Sequence, residues 1–346
     1  MCNWSKQMKL GIIGLPLAGK TTVFESLTRS ARATGSKTED RLEVVAVPDE
    51  RIDKLTAIYN PAKTTYAKIT YFLPGMTAGD GNANSGKWAG IRDCDALLHV
   101  VGNYNGFTDP PLKRIDQMHS DMLLNDLVVI ESRLEKLDLE RKRGKTVFEE
   151  EYALLGECRQ ILENGQPIIS QPALALAKHL RGYTFLTAKP VMIMLNNNDD
   201  DDALPDLGGL KDHIPCTVIR GRLEHEIARM DEEDAGAFLA EYGIGESAMH
   251  RIIQHSYDLL GLISFLTVGE DEVRAWTIRK GTAALEAADV IHSDIKKGFI
   301  RAEVVAYDDL MEAGSHAEAR NRGQVRLEGR EYIVRDGDII NFRFNV

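Results

Sequence analysis

Residues 14–21 read GLPLAGKT, which fits G-x-x-x-x-G-K-[ST]. That spacing suits a polyphosphate. Gly14 and Gly19 let the main chain approach phosphate oxygens without a Cβ in the way. The N–H groups of Leu17, Ala18, Gly19, Lys20, Thr21 and Thr22 can point at those oxygens, helped by the start of a helix. Lys20 would neutralise the β- and γ-phosphates, and the Thr21 hydroxyl would ligate Mg²⁺. The plain alternative is a glycine-rich turn that happens to carry a surface lysine. The order strand, loop, helix argues against it.

The elements around the loop are legible. KLGIIG (9–14) predicts a short buried strand, and Val23, Phe24 and Leu27 mark one side of a following helix. LEVVAV (42–47), AKITYFL (67–73), ALLHVV (96–101), PVMIML (190–195) and CTVI (216–219) fit the same sheet. PVMIML runs into Asn196, Asn197, Asn198 and Asp199. A polar run after a buried strand suits a ligand contact. Because Asp199 to Asp202 are consecutive carboxylates, an acidic surface loop is the alternative. His99 sits in an apolar run and reads as a core histidine.

Between these runs the period changes. Leu123, Leu127, Ile130, Leu134 and Leu137 recur at steps of four and three. A polar turn over 140–146 follows, and then Leu155, Cys158 and Leu162 at helical spacing. Two helices and a short turn predict an antiparallel hairpin. Arg141, Lys142, Arg143 and Lys145 cap it, either as a solvated tip or as a contact to RNA phosphate. From about Ser264 the pattern becomes strands with one helix: EVRAWTI, AALEAADVIHSDIKKG ended by Gly298, FIRAEVVAY, QVRLEG, REYIV and IINFRFNV. A small α+β module is expected there, in which Lys296, Lys297 and Arg301 allow the same two readings.

Composition excludes other classes. A net charge of -11 rules out non-specific coating of nucleic acid. No run of 18 apolar residues occurs, so no membrane span is expected and a cytoplasmic location is the default. The four cysteines lack zinc spacing and are expected as reduced thiols.

GIIGLPLAGKTTVFESLT, VPDERIDKL, IRDCDALLHVV and the tail from EVRAWT to DGDIINFRFNV resemble the YchF / Obg-like ATPase family. The resemblance covers nearly the whole chain after Met8, and the tail is its most specific part. It implies an α/β P-loop NTPase G-domain with an inserted antiparallel helical hairpin and a C-terminal β-grasp (TGS-like) α+β domain. The implied boundaries are 8–120 and 183–263 for the G-domain, 121–182 for the hairpin and 264–346 for the tail. It also implies ATP in preference to GTP, Mg²⁺, and a ribosomal partner reached through the hairpin and the tail.

The resemblance assigns Asn196, Asn197 and Asp199 to the base, with Arg220, Gly221 and Arg222 in the last base-contacting loop. Asp199 is the residue of a guanine reader, but Asn197 stands where such a reader has lysine. The expected D-x-x-G carboxylate is Phe72, three residues before Gly75. Met76 occupies the position of a catalytic glutamine. Thr38, one residue from the ungapped register at Lys37, is the candidate second hydroxyl for Mg²⁺, with Thr34 a weaker one. The loops 32–40 and 77–87 match the two switches. No side chain is assigned to catalysis. The expectation is a slow ATP-preferring switch in translation. The rivals are a nucleotide-binding scaffold with little or no hydrolysis and a GTP-specific switch.

Overall fold

The computed structural model describes residues 8–29, 38–75, 84–241 and 247–345. Twelve strands are present among them: β1 Lys9–Ile13, β2 Arg41–Ala46, β3 Lys63–Thr65, β4 Lys68–Leu73, β5 Ala96–Asn103, β6 Val191–Asn197, β7 Cys216–Ile219, β8 Leu262–Thr267, β9 Glu272–Arg279, β10 Phe299–Ala306, β11 Arg326–Glu328 and β12 Asp338–Phe344. They form two six-stranded sheets, ordered β2-β4-β1-β5-β6-β7 and β11-β10-β12-β8-β9-β3. The fold is α/β with mixed sheets.

The chain makes two compact units. The first comprises residues 9–43 and 71–249, and the second includes 44–70 and 250 onward. In the first, β1 pairs in parallel with β5, β5 with β6 and β6 with β7. The apolar runs of β1, β5 and β6 are buried on both faces, as helix-covered parallel strands require, while β7 is mostly half-buried. Helices α1 Lys20–Thr28 and α3 Asn84–Arg92 belong to this unit, and α2 Glu50–Tyr59 to the second. Val23, Phe24 and Leu27 of α1 are buried, as their spacing predicts.

Helix α4, Pro111–Lys142, begins well before the expected start near Asp121. Pro111 opens it, because proline has no N–H to lose in a first turn. Ile130, Leu134 and Leu137 pack with Leu155, Cys158 and Leu162 of α5, Glu149–Glu163, in one apolar cluster. A buried carboxylate ties α4 to the segment that returns to the sheet. Asp126 accepts from Leu186 N at 3.1 Å, Thr187 N at 2.8 Å and Thr187 Oγ1 at 2.8 Å, and pairs with Arg92 at 3.1 Å. Helices α6 Pro172–Ala175, α7 Gly221–Ile227, α8 Glu232–Glu241 and α9 Ala248–Leu259 complete this stretch of chain.

In the second unit, β3 joins β9 in parallel, which explains why residues 44–70 group with the tail. Three expectations for the tail change. REYIV is no strand; an isolated bridge links Ala283 to Ile333 and nothing longer forms there. The predicted single helix is two, α10 Ala284–Ile291 and α11 Ser293–Lys297, because His292 takes extended dihedrals and its Nδ1 accepts from Asp294 N at 3.2 Å. Two further helices, α12 Tyr307–Ala313 and α13 His316–Asn321, lie between β10 and β11, where no helix is expected from the sequence. Their lengths are too short for a periodic signal. Ile340 and Phe342 of β12 are buried, while Phe344 is exposed.

Candidate nucleotide site

Parallel pairing delivers the carboxyl ends of β1, β5, β6 and β7 to one edge. Ile13 lies beside His99, Gly102 beside Asn196, Asn103 beside Asn197 and Asn196 beside Ile219. Open α/β sheets bind ligands at such an edge. The 14–21 loop, the 196–199 run and the 220–222 segment lie at the ends of β1, β6 and β7 there.

The 14–21 loop has the backbone its glycines imply. Gly14 has φ 153°, and a Cβ there would lie 2.3 Å from Val100 O. Gly19 caps α1 at φ 95° and ψ 17°, and a Cβ there would lie 2.2 Å from Asn196 Nδ2. No other residue type fits either place. Lys20 Nζ donates to Gly14 O and Leu15 O, both at 2.9 Å, so its ammonium is held across the mouth of the loop. Thr21 is exposed at the start of α1, and Ala18 is buried beneath the loop. Leu17 is the irregular member. It is left-handed at φ 65° and 81% exposed. The Tyr104 hydroxyl donates to its carbonyl, a contact with no sequence signal beyond an aromatic residue after β5.

Both amide atoms of Asn196, an expected base contact, have partners within the protein. Its Nδ2 donates to Ala18 O at 3.1 Å and its Oδ1 accepts from Gly221 N at 3.0 Å. It is buried and joins the phosphate loop to the loop after β7. Asn197 is also buried and fully engaged, with Nδ2 on Ala203 O at 2.8 Å and Oδ1 receiving Asn103 Nδ2 at 2.9 Å. Asn198 Oδ1 accepts from Asn105 N at 3.3 Å. Asp199 is half-exposed; Oδ1 accepts from Leu223 N at 3.3 Å and Oδ2 lies 3.2 Å from Arg222 Nε.

The segment before β2 meets Gly75, two residues after β4. Gly75 N donates to Asp40 Oδ1 at 2.9 Å, and a Cβ on Gly75 would lie 2.2 Å from Thr38 O. Thr38 is exposed. Lys37, Thr34, Met76 and most of both switch loops lie outside the described residues. Phe72 is buried in a cluster with Trp88, Ile91, Met118 and Met122, and its ring blocks any Cβ at Gly90. It is a core residue of this unit.

Two histidines lie under the loop. His99 is buried, with its ring centroid 5.7 Å from that of His119. Burial pushes its pKa down to about 3, and His119 and the Lys20 charge push the same way. Both therefore favour a neutral imidazole, as a core histidine requires. Arg114 is buried against the Phe107 ring at 4.1 Å.

The basic residues noted from sequence divide into two sets. Those at the hairpin tip are exposed, with Arg141 paired to Glu149 at 2.6 Å and lying over Tyr152. Lys296 is neutralised locally by Glu286 and Asp289, and Lys297 by Asp294. Among the described residues no group of His, Cys, Asp and Glu is placed to hold a metal ion. No helix of the described residues is long and apolar enough to cross a membrane. Cys94 and Cys158 are buried free thiols and Cys216 is a partly buried one.

A family model described as YchF-GTPase_C, a protein of unknown function (DUF933), matches residues 262–345. The chain is 36% identical over 370 residues to the ribosome-binding ATPase YchF of Bacillus subtilis, covering 97% of this chain and 99% of that protein. It is 34% identical to the ribosome-binding ATPase YchF of Mycoplasma genitalium, covering 98% and 100%. The solved structure of the Schizosaccharomyces pombe YchF GTPase superposes with a TM-score of 0.82 at 29% identity over 98% of both chains. Likeness over nearly the full length, in sequence and in fold, makes this chain a member of the YchF family.

Proposed function

We propose that this protein is a nucleoside-triphosphate-binding P-loop switch, a slow ATP-preferring NTPase that works with the ribosome. The observation that carries the reading is the loop itself. Two glycines that tolerate no Cβ hold the main chain against β5 and Asn196, with Lys20 across the mouth. Leu17, Ala18, Gly19, Lys20, Thr21 and Thr22 form the phosphate cradle, and Lys20 supplies its charge. Asp199 faces the base, Asn196 braces the site, and Asn197 serves from the layer behind it.

The relatives named as ribosome-binding ATPases support ATP and a ribosomal partner, and with it a cytoplasmic location. The same likeness supports the module reading: G-domain over 8–120 and 183–263, helical hairpin over 121–182 and TGS-like β-grasp domain over 264–346. The exposed basic tip of the hairpin suits RNA phosphate better than Lys296 and Lys297, whose charges are spent locally.

Mg²⁺ fits this donor set in a limited way. Thr21 and Thr38 offer hydroxyls on exposed positions, and the phosphates of a nucleotide would supply further oxygens. Phe72 offers none, and Asp40 is committed to Gly75 N. When bound, the ion neutralises charge on the β- and γ-phosphates. Thr21 would hold the ion at the cradle, and Lys20, now on the Gly14 and Leu15 carbonyls, would meet the phosphate charge.

The missing carboxylate favours a second reading, a nucleotide-binding scaffold with little or no hydrolysis. Calorimetric titration of ATP and GTP with Mg²⁺, followed by turnover with and without ribosomes, separates the two. The switch requires ATP binding that Lys20→Ala abolishes and turnover that ribosomes raise. Binding without turnover under either condition leaves the scaffold. Absence of binding to both nucleotides rejects both readings.

A further inference from the structure

We propose that Arg222 is a specificity-determining residue of the base site: it masks the Asp199 carboxylate and so weakens selection for guanine nucleotides. The inference rests on the nucleotide-binding reading and deepens it.

A carboxylate selects guanine because that base presents two adjacent donors, N1–H and the N2 amine, to two acceptor oxygens. Adenine presents an acceptor at N1, which an unmasked carboxylate repels. In this protein neither Asp199 oxygen is bare. Leu223 N holds Oδ1 at 3.3 Å, and the Arg222 guanidinium lies 3.2 Å from Oδ2. The backbone bond fixes the carboxylate, while the guanidinium lies against its other oxygen. Glu226, one turn along α7, lies 3.7 Å from the same Arg222 Nε and biases the side chain towards this side of the helix.

The other feature that would favour guanine is also missing. Asn197 stands where a lysine would lie along the base, and its amide is committed to Ala203 O and Asn103. The discrimination left to the site therefore depends on whether Asp199 is masked. Both partners of the ion pair are accessible, Arg222 being 79% exposed. Such a pair is weak, so guanine can displace it at modest cost, and the effect on the affinity ratio is about fivefold.

The test is calorimetric titration of the full chain with ATP and with GTP in Mg²⁺, for wild type, Arg222→Ala and Arg222→Ala/Asp199→Ala. Thermal melting of each variant accompanies it. Arg222→Ala should raise the ratio of GTP to ATP affinity about fivefold, with an unchanged melting temperature. The second substitution should return the ratio to the wild-type value, and Arg222→Lys should stay near wild type. If wild type binds ATP and Arg222→Ala leaves the ratio unchanged or lowers it, this inference is overturned while the nucleotide-binding reading stands. If wild type binds neither nucleotide, both fail.

Discussion

The phosphate end and the base end of the site are built by opposite means. At the proposed phosphate end the main chain forms the cradle, Lys20 brings the charge, and two positions carry no side chain. Gly14 and Gly19 are required because Val100 O and Asn196 Nδ2 occupy the space of a Cβ. At the proposed base end side chains carry the contacts, and their partners come from three separate strands and their loops. Asn196 reaches Ala18 and Gly221, Asn197 reaches Asn103, and Asp199 reaches Arg222 and Leu223. A backbone site is written in a contiguous motif. A side-chain site is written across the fold, so a substitution such as Arg222 can alter its chemistry without disturbing its shape.

The comparison can be broken first at Phe72. If the phosphate end is deficient only because a carboxylate is missing, Phe72→Asp should restore Mg²⁺-dependent turnover. The packing says otherwise. The ring fills a core cluster against Trp88 and Gly90, so the substitution should instead cost about 3–5 kcal/mol of stability. Chemical denaturation with a parallel turnover assay decides between these outcomes; a stable, faster variant would refute the core assignment.

Asn196 sharpens the comparison because it belongs to both ends. Asn196→Ala leaves Ala18 O and Gly221 N unpaired, at roughly 1–3 kcal/mol. Affinities for ATP and GTP should fall together, since the loop is loosened and the base contact is not. A selective loss of one nucleotide would place Asn196 at the base after all.

Beneath the phosphate end, His99 gives a pH signature. Its folded pKa, about 3, lies below the unfolded value, so the unfolded chain takes up the proton first. Stability is therefore full above pH 6.5 and is lost as pH falls towards 3. The loss is roughly 2 kcal/mol by pH 5, each pKa unit being worth about 1.4 kcal/mol. His119 is shifted the same way and adds to the slope. His99→Leu should flatten most of this dependence in urea melts at pH 7 and pH 5; an unchanged slope would assign it elsewhere.

The smallest effect is at Leu17. A β-carbon in the left-handed region is strained, and asparagine tolerates that region better. Leu17→Asn should stabilise the protein by about 0.5–1 kcal/mol, read as a higher melting temperature. A fall would mean that the exposed leucine has a packing role.

These contrasts follow how information is stored in the chain. The apolar runs of β1, β5 and β6 were legible because parallel strands buried on both faces need continuous hydrophobic sequence. The helix pair was legible through its steps of four and three. REYIV was misleading because alternation favours a strand only where a partner strand is in reach, and there a single bridge is. The break at His292 and the short helices α12 and α13 depend on caps and turns too brief to show a period.

By itself the sequence determined the phosphate loop, its glycines, its lysine and the strand and helix that flank it, because a main-chain site is local. It also showed that the residue at Phe72 has no charge. Tertiary structure alone decided that Phe72 is committed to the core, that Asn196 bonds Ala18 and Gly221, and that Asp199 lies beside Arg222. Those outcomes turn on hydrogen bonds and burial between residues distant in sequence, and only the register of the parallel strands brings them together.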